Sequence, residues 1–195
     1  MKKIPTLFER RFEGHRVVEV LPTVTPGMEW VLEGEGDATI KIDGNCCAII
    51  EGIFYKRYDY KADRRGKVQL CSNRGMIPCC DPDPITGHWP HWVPVDPLDP
   101  ADKWYAEAFR NSITLEDGTY EAIGPHFQDN HHRWKVDTLI RHGTMRVQVH
   151  RSFEGIREYL RNNPIEGLVF WKDGEPMCKI KRSDFGFEWP VKEGR

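Results

Sequence analysis

No stretch of this sequence approaches the ~20 consecutive apolar residues that a membrane span requires, and no signal-peptide core follows Met1-Lys2-Lys3-Ile4-Pro5, because Glu9, Arg10 and Arg11 interrupt it. These two absences predict a chain that neither crosses a membrane nor is secreted. A disulfide framework is missing as well. The six cysteines include the adjacent pairs Cys46-Cys47 and Cys79-Cys80, and adjacent thiols do not build a regular bridge network. Reduced thiols in the cytoplasm are the expectation. Nor does one sign of charge dominate. The formal net charge of -2 argues against binding nucleic acid over the whole surface, although Lys56, Arg57, Lys61, Arg64, Arg65 and Lys67 face only Asp59 and Asp63 and form a local basic patch. With no internal repeat in 195 residues, a single domain over 1–195 is expected.

Strand signals dominate what is present. His15 to Val20, Cys47 to Glu51, Ile53 to Tyr58, Thr119 to Gly124 and Met145 to Val149 have β-rich or alternating composition, and Gly52 joins two of them as a meander. Two further runs, Gly167 to Lys172 and Pro176 to Lys181, flank Asp173-Gly174 as a hairpin. Helix signals are fewer. Asp99 followed by Pro100 predicts an N-cap and first position for a helix reaching Arg110, and Ser152 caps a second helix from Phe153 to Arg161. Between Met76 and Pro100, seven prolines interspersed with Trp89 and Trp92 predict an ordered loop without regular structure. Many strands with few helices predict an α+β domain of antiparallel sheets flanked by helices.

The lysine in Ala38-Thr39-Ile40-Lys41-Ile42-Asp43-Gly44-Asn45 lies where two β-rich runs meet at a Gly-Asn turn. An ammonium placed among apolar neighbours is costly unless a partner or a chemical task holds it there. Alternation places Lys41 with Asp43 on one strand face, and Lys179 with Lys181 on another. Two lysines facing one way from an apolar strand require an anion.

The order Lys41-Ile42-Asp43-Gly44, Arg57, Glu121, Glu166-Gly167-Leu168-Val169, Lys179-Ile180-Lys181 resembles the covalent nucleotidyltransferases, the family of polynucleotide ligases and capping enzymes. Within it the chain looks most like the small ATP-dependent 5′-to-3′ RNA ligases found in vertebrates. Further similarity lies in Asp43-Gly44-Asn45-Cys46-Cys47, the segment Gly87 to Val95, His142-Gly143, Ile165 to Trp171 and Lys179 to Arg182, so that it covers roughly residues 38 to 190.

The resemblance implies a nucleotidyltransferase (ATP-grasp-like) domain with no OB domain, since about 14 residues follow Lys181. It makes Lys41 the nucleophile that takes AMP from ATP. Lys179 and Lys181 would hold the α-phosphate and stabilise developing charge. Glu166 and Asp43 would serve a Mg2+ or Mn2+ site, in part through water. Glu121 would take the ribose hydroxyls, and Arg57 the ribose or an incoming 5′-phosphate. The partners implied are ATP and RNA 5′-phosphate and 3′-hydroxyl ends. For attack, an amine whose free pKa is about 10.4 must lose its proton, which nearby cations and a metal favour and carboxylates oppose.

Two other functions share these residues: a capping-type guanylyltransferase using GTP, and an RNA-end binding module without catalysis. Elsewhere, Cys79, Cys80, His88 and His91 supply zinc-ligand types, but adjacent cysteines are poor spacing for one tetrahedral site, and packed thiols are expected instead. His126, His131 and His132 read as surface residues that could touch nucleic acid or phosphate. Phe153, Trp134 and Phe170 are candidates to face an adenine.

Overall fold

A computed structural model describes residues 4–14, 16–61, 75–84 and 86–191. The basic patch beyond Lys61 lies outside these residues. Twelve strands and two α-helices are described. In chain order they are β1 (Phe8–Glu13), β2 (Arg16–Val24), β3 (Asp37–Lys41), β4 (Asn45–Ile50), β5 (Ile53–Lys61), β6 (Ile77–Pro78), β7 (His88–Pro94), α1 (Lys103–Asn111), β8 (Gly118–Ile123), β9 (Thr138–Arg141), β10 (Arg146–Val147), α2 (Phe153–Asn162), β11 (Gly167–Lys172) and β12 (Glu175–Lys181). The sheets pair antiparallel, with one isolated parallel bridge from Thr6 to Lys179, an arrangement compatible with the α+β class. None of the described helices is long and apolar enough to cross a membrane.

The chain divides into two compact units, one formed chiefly by Asp43–His142 and the other by Lys3–Ile42 with Gly143–Arg195. The second unit holds a four-stranded sheet ordered β10-β3-β11-β12 and the separate hairpin β1-β2. Alternation sorts its side chains cleanly. Ala38, Leu168, Phe170, Cys178 and Ile180 point to one face and are buried with Ile156 and Leu160 of α2 and with Leu7, Phe8 and Val31. Burying each large side chain of this set contributes about 2 kcal/mol. The opposite face carries Thr39, Lys41, Val169, Trp171, Lys179 and Lys181. Trp171 Nε1 donates to Thr39 Oγ1 at 2.9 Å across that face.

Local signals set the ends of these elements. Asp173 (φ 53°) and Gly174 (φ 80°) are both left-handed, the conformation that a two-residue turn between β11 and β12 requires. Ser152 Oγ accepts the Gly155 N–H at 3.0 Å and starts α2. The far end of α2 is closed by a residue distant in sequence. Arg182, buried, donates through its guanidinium to the carbonyls of Leu160 and Asn163 (2.9 Å for the latter) and through Nε to Glu188 O at 2.9 Å. A cation on the last carbonyls satisfies groups the helix leaves unpaired and opposes its dipole. Arg182→Ala is expected to cost about 2–3 kcal/mol, read by urea denaturation, because several buried carbonyls lose a charged donor at once.

The first unit holds the six-stranded sheet β6-β7-β5-β4-β8-β9. One face, with Cys47, Ile49, Phe54, Tyr120, Ala122 and Leu139, packs on α1 through Ala108, Trp104 and Phe109. The other bears Ala48, Tyr55 and Trp92 with Cys46 and Cys79 beside them.

Three expectations change here. The proline-rich segment contains a strand, β7, that includes Pro90 and Pro94. The Pro90 carbonyl accepts the Cys79 N–H at 2.9 Å, so this residue turns its hydrogen-bonding edge away from β5, and Pro94, four positions on, turns the same way. The missing N–H groups therefore cost the β5-β7 ladder nothing. The helix begun by Asp99 opens as a 3-10 turn, Pro100–Asp102, before α1. Finally, the two runs that meet at Gly44-Asn45 enter different sheets, and β3 ends at Lys41, so alternation does not extend to Asp43.

Candidate functional site

The register of three strands assembles the first group. Gly167 on β11 lies opposite Lys41 of β3 on one side and opposite Lys181 of β12 on the other. The row Lys41, Gly167, Lys181 thus puts two ammonium side chains on the same face, two strands apart. Gly167 permits close approach of the neighbouring strand. A Cβ there would collide with the Ile180 carbonyl and lie 3.0 Å from the Lys181 Cα, so any side chain would push β12 outward.

Glu166, one residue earlier, bridges the two cations. Its Oε2 accepts from Lys41 Nζ and its Oε1 from Lys181 Nζ at 2.8 Å, joining positions 125 residues apart in the first case. The carboxylate is 8% exposed, against 21% and 39% for the Lys41 and Lys181 side chains. Burial alone would raise its pKa, yet Lys41 and Lys181 together outweigh burial and hold it below the usual 4.5. The sign of the pH effect follows. A carboxyl held low in the folded state contributes stability above its unfolded pKa, and that contribution is lost as pH falls through the folded value. Denaturant titrations from pH 6 downward are expected to show stability falling below about pH 4.5, with part of that slope absent in Glu166→Gln.

Lys179 lies opposite Val169, two register rows along from Lys181 and so on its face, while its backbone bonds Pro5 and Leu7. Of the lysine motif itself, Lys41 and Ile42 belong to the second unit and Asp43 and Gly44 to the first.

In the first unit, Gly44 has a packing reason like that of Gly167. A Cβ there would lie 2.6 Å from the Ala122 carbonyl oxygen. The Asp43 N–H donates to His132 Nε2 at 3.2 Å, and Asp43 Oδ2 lies 3.9 Å from His131 Nε2, so both histidines are neighbours of the motif aspartate. His126 is fixed otherwise, stacked on Trp104 with ring centroids 3.3 Å apart and paired with buried Asp137 at 2.6 Å.

Cys46 and Glu121 are directly paired across β4 and β8, on the face away from α1. Burial pushes the Cys46 thiol up to about 12 and Glu121 adds to the rise, while Arg57 of β5, on the same face, opposes it. Lys56, its rival in sequence, points the other way and ion-pairs with buried Asp102, which also accepts the Asp96 N–H at 2.9 Å. Lys56 is therefore a packing cation, and Arg57, held by Asp59 at 2.9 Å, is the one on the face of Cys46. Glu121 Oε1 meets His142 Nε2 at 3.3 Å, whereas Oε2 is buried with no hydrogen-bond partner among the described residues. Such an acceptor has lost its water without replacement, which marks a place prepared for a donor or a cation.

The cysteines at 79 and 80 do not assemble with His88 and His91. His91 Nδ1 turns to the Trp89 carbonyl at 2.9 Å, and the one group of metal-ligand type among the described residues is Cys46, Glu121 and His142. No described cysteine is in a disulfide. Of the aromatic candidates, Phe170 is wholly inside the core of the second unit, Phe153 packs edge-on against Phe8 and Phe185, and Trp134 is 37% exposed. Phe170 therefore has no face to offer a ligand. His142 was legible only through its place beside Gly143; its approach to Glu121 depends on a backbone bond from its N–H to the Thr119 carbonyl at 3.0 Å.

Searches against protein-family models and against curated proteins found no match for the chain.

Proposed function

We propose that this protein is an ATP-dependent RNA ligase with an ATP-grasp-like nucleotidyltransferase fold, joining 5′-phosphate and 3′-hydroxyl RNA ends in the cytoplasm. The observation that carries the reading is the Lys41–Glu166–Lys181 group. Three residues from separate motifs of the resemblance meet through one carboxylate, beside a glycine that lets β12 approach β11 closely.

In this reading Lys41 Nζ, once deprotonated, attacks the α-phosphorus of ATP. A P–N bond forms, the P–O bond to pyrophosphate breaks, and the amine proton passes to solvent. Lys181, and Lys179 on the same face, stabilise the negative charge that develops on the phosphoryl oxygens. An RNA 5′-phosphate oxygen next displaces Lys41 from the phosphorus, and the RNA 3′-hydroxyl then displaces AMP. Glu166 is a weak base because its pKa is held low; its part is to orient the two ammonium groups. A carboxylate that stays ionised and keeps lone pairs beyond its two ion pairs also suits Mg2+ or Mn2+ held through water, an ion that would neutralise triphosphate charge. Arg57, Glu121 and Asp43 keep the ribose, donor-phosphate and metal roles that the resemblance gives them.

Incubation with magnesium and α-labelled ATP is expected to leave label on the denatured protein and add the mass of one AMP, and Lys41→Ala is expected to abolish both. Unlabelled wild-type protein, or undiminished label in Lys41→Ala, would overturn the proposal. Labelling by GTP in preference to ATP would turn it into the capping-type reaction.

A further inference from the structure

We propose that Cys46, Glu121 and His142 bind a thiophilic divalent transition-metal ion, with Zn2+ as the representative case. Thiol, carboxylate and imidazole ligand atoms here lie within 4.8 Å of one another on one face of the six-stranded sheet. The sheet itself makes the arrangement. Cys46 and Glu121 are cross-strand partners on β4 and β8, and the chain leaving β9 is tied back by the bond from the His142 N–H to the Thr119 carbonyl.

Four details fit an ion. Metal–ligand bonds of about 2.0–2.3 Å in a tetrahedron place ligand atoms roughly 3.3–3.7 Å apart, and His142 Nε2 stands 3.3 Å from Glu121 Oε1. The other imidazole nitrogen, Nδ1, is held by Thr119 Oγ1 at 2.9 Å, the kind of bond that fixes the tautomer and ring plane of a metal-bound histidine. Glu121 Oε2 is buried and unpartnered, so a cation would satisfy an acceptor that the protein leaves open. The side chains of Glu121 and His142 keep 13% and 15% exposure, so neither ligand is sealed from solvent. The Cys46 sulfur lies within 4.8 Å of the other two ligand atoms. The S–H bond breaks as the metal–sulfur bond forms, and the proton is released to solvent. Softness of the donor set favours zinc, cobalt or copper over magnesium, which prefers oxygen alone.

One consequence rests on the proposed ligase reading. An ion on Glu121 would occupy the acceptor assigned there to the ribose hydroxyls, so metal and nucleotide would exclude each other, and micromolar Zn2+ would suppress AMP labelling.

Co2+ titration of the reduced, nucleotide-free full chain tests the site independently of ligase activity. One equivalent is expected to bind with a thiolate-to-cobalt charge-transfer band. Cys46→Ser should remove the band, and Glu121→Gln and His142→Ala should each weaken binding at least tenfold. Lys41→Ala, which ends AMP labelling in the proposed function, should leave cobalt binding unchanged, as should the double variant Cys79→Ser/Cys80→Ser. X-ray absorption of the cobalt-loaded wild-type protein should show a single sulfur ligand, a measurement that needs no variant to fold. Absence of uptake, a band that survives Cys46→Ser, a band lost with Cys79 and Cys80, or a ligand shell without sulfur would each overturn the site.

Discussion

Lys41→Arg is expected to remain folded and to carry no AMP at all. The substitution keeps a positive charge opposite Glu166, so the ion pair that joins β3 to the start of β11 persists. Stability by urea denaturation should stay within about 1 kcal/mol of wild type, the range of a change that creates neither a cavity nor an unpaired buried charge. Chemistry separates the two side chains. Lysine becomes a nucleophile by losing one proton, whereas the arginine guanidinium stays protonated in proteins and its electrons are delocalised. If Lys41 serves only to neutralise Glu166, the guanidinium charge is sufficient and nothing else changes. If it is the attachment point, intact mass after ATP shows no adduct on a protein that unfolds like wild type. An AMP adduct on Lys41→Arg would place the nucleophile elsewhere.

Glu166→Gln is expected to cost about 2–3 kcal/mol, measured by denaturation near pH 7. Removing the shared partner of a buried ion pair leaves charge without compensation, and a fully buried case costs about 3–5 kcal/mol. The lower figure applies here because Lys41 and Lys181 retain 21% and 39% side-chain exposure and recover part of their hydration. The glutamine amide preserves the size of the side chain, so the loss reports charge. Added salt should shrink the difference, since screening softens the repulsion left between the two ammonium groups. A variant as stable as wild type at low salt would show that the carboxylate does not hold the lysines together.

Much of this arrangement was legible in the sequence because local rules and long-range packing agree there. Leu168, Phe170, Cys178 and Ile180 alternate with Val169, Lys179 and Lys181, so the strand pattern already separated a core face from a charged one. Ser152 and the Asp173-Gly174 turn marked their boundaries through chemistry confined to a few residues. What stayed hidden depends on non-local partners. Nothing near Arg182 announces that it closes a helix some twenty residues earlier. Lys56 and Arg57 are indistinguishable by composition until the pairing of β4 with β5 sends one to each face of the sheet. Pro90 and Pro94 suppress a strand prediction, yet their backbone edge turns away from β5, where no amide hydrogen is needed. The glycines of both motifs read as generic turn or strand-start residues, and only the approach of Ala122 and Ile180 shows what their lack of a side chain accomplishes.

The single-row alignment of Lys41, Gly167 and Lys181 ties the integrity of the charged group to folding itself. A slip of β12 by one residue would carry Lys179 and Lys181 into the apolar interior and expel Cys178 and Ile180 from it, a penalty incurred on both faces together. The register of β12 is therefore specified from both of its faces at once. The fraction of molecules with these two lysines on the face of Lys41 should equal the fraction that is folded, so amide hydrogen exchange along β11 and β12 doubles as a measure of how the charged group is presented.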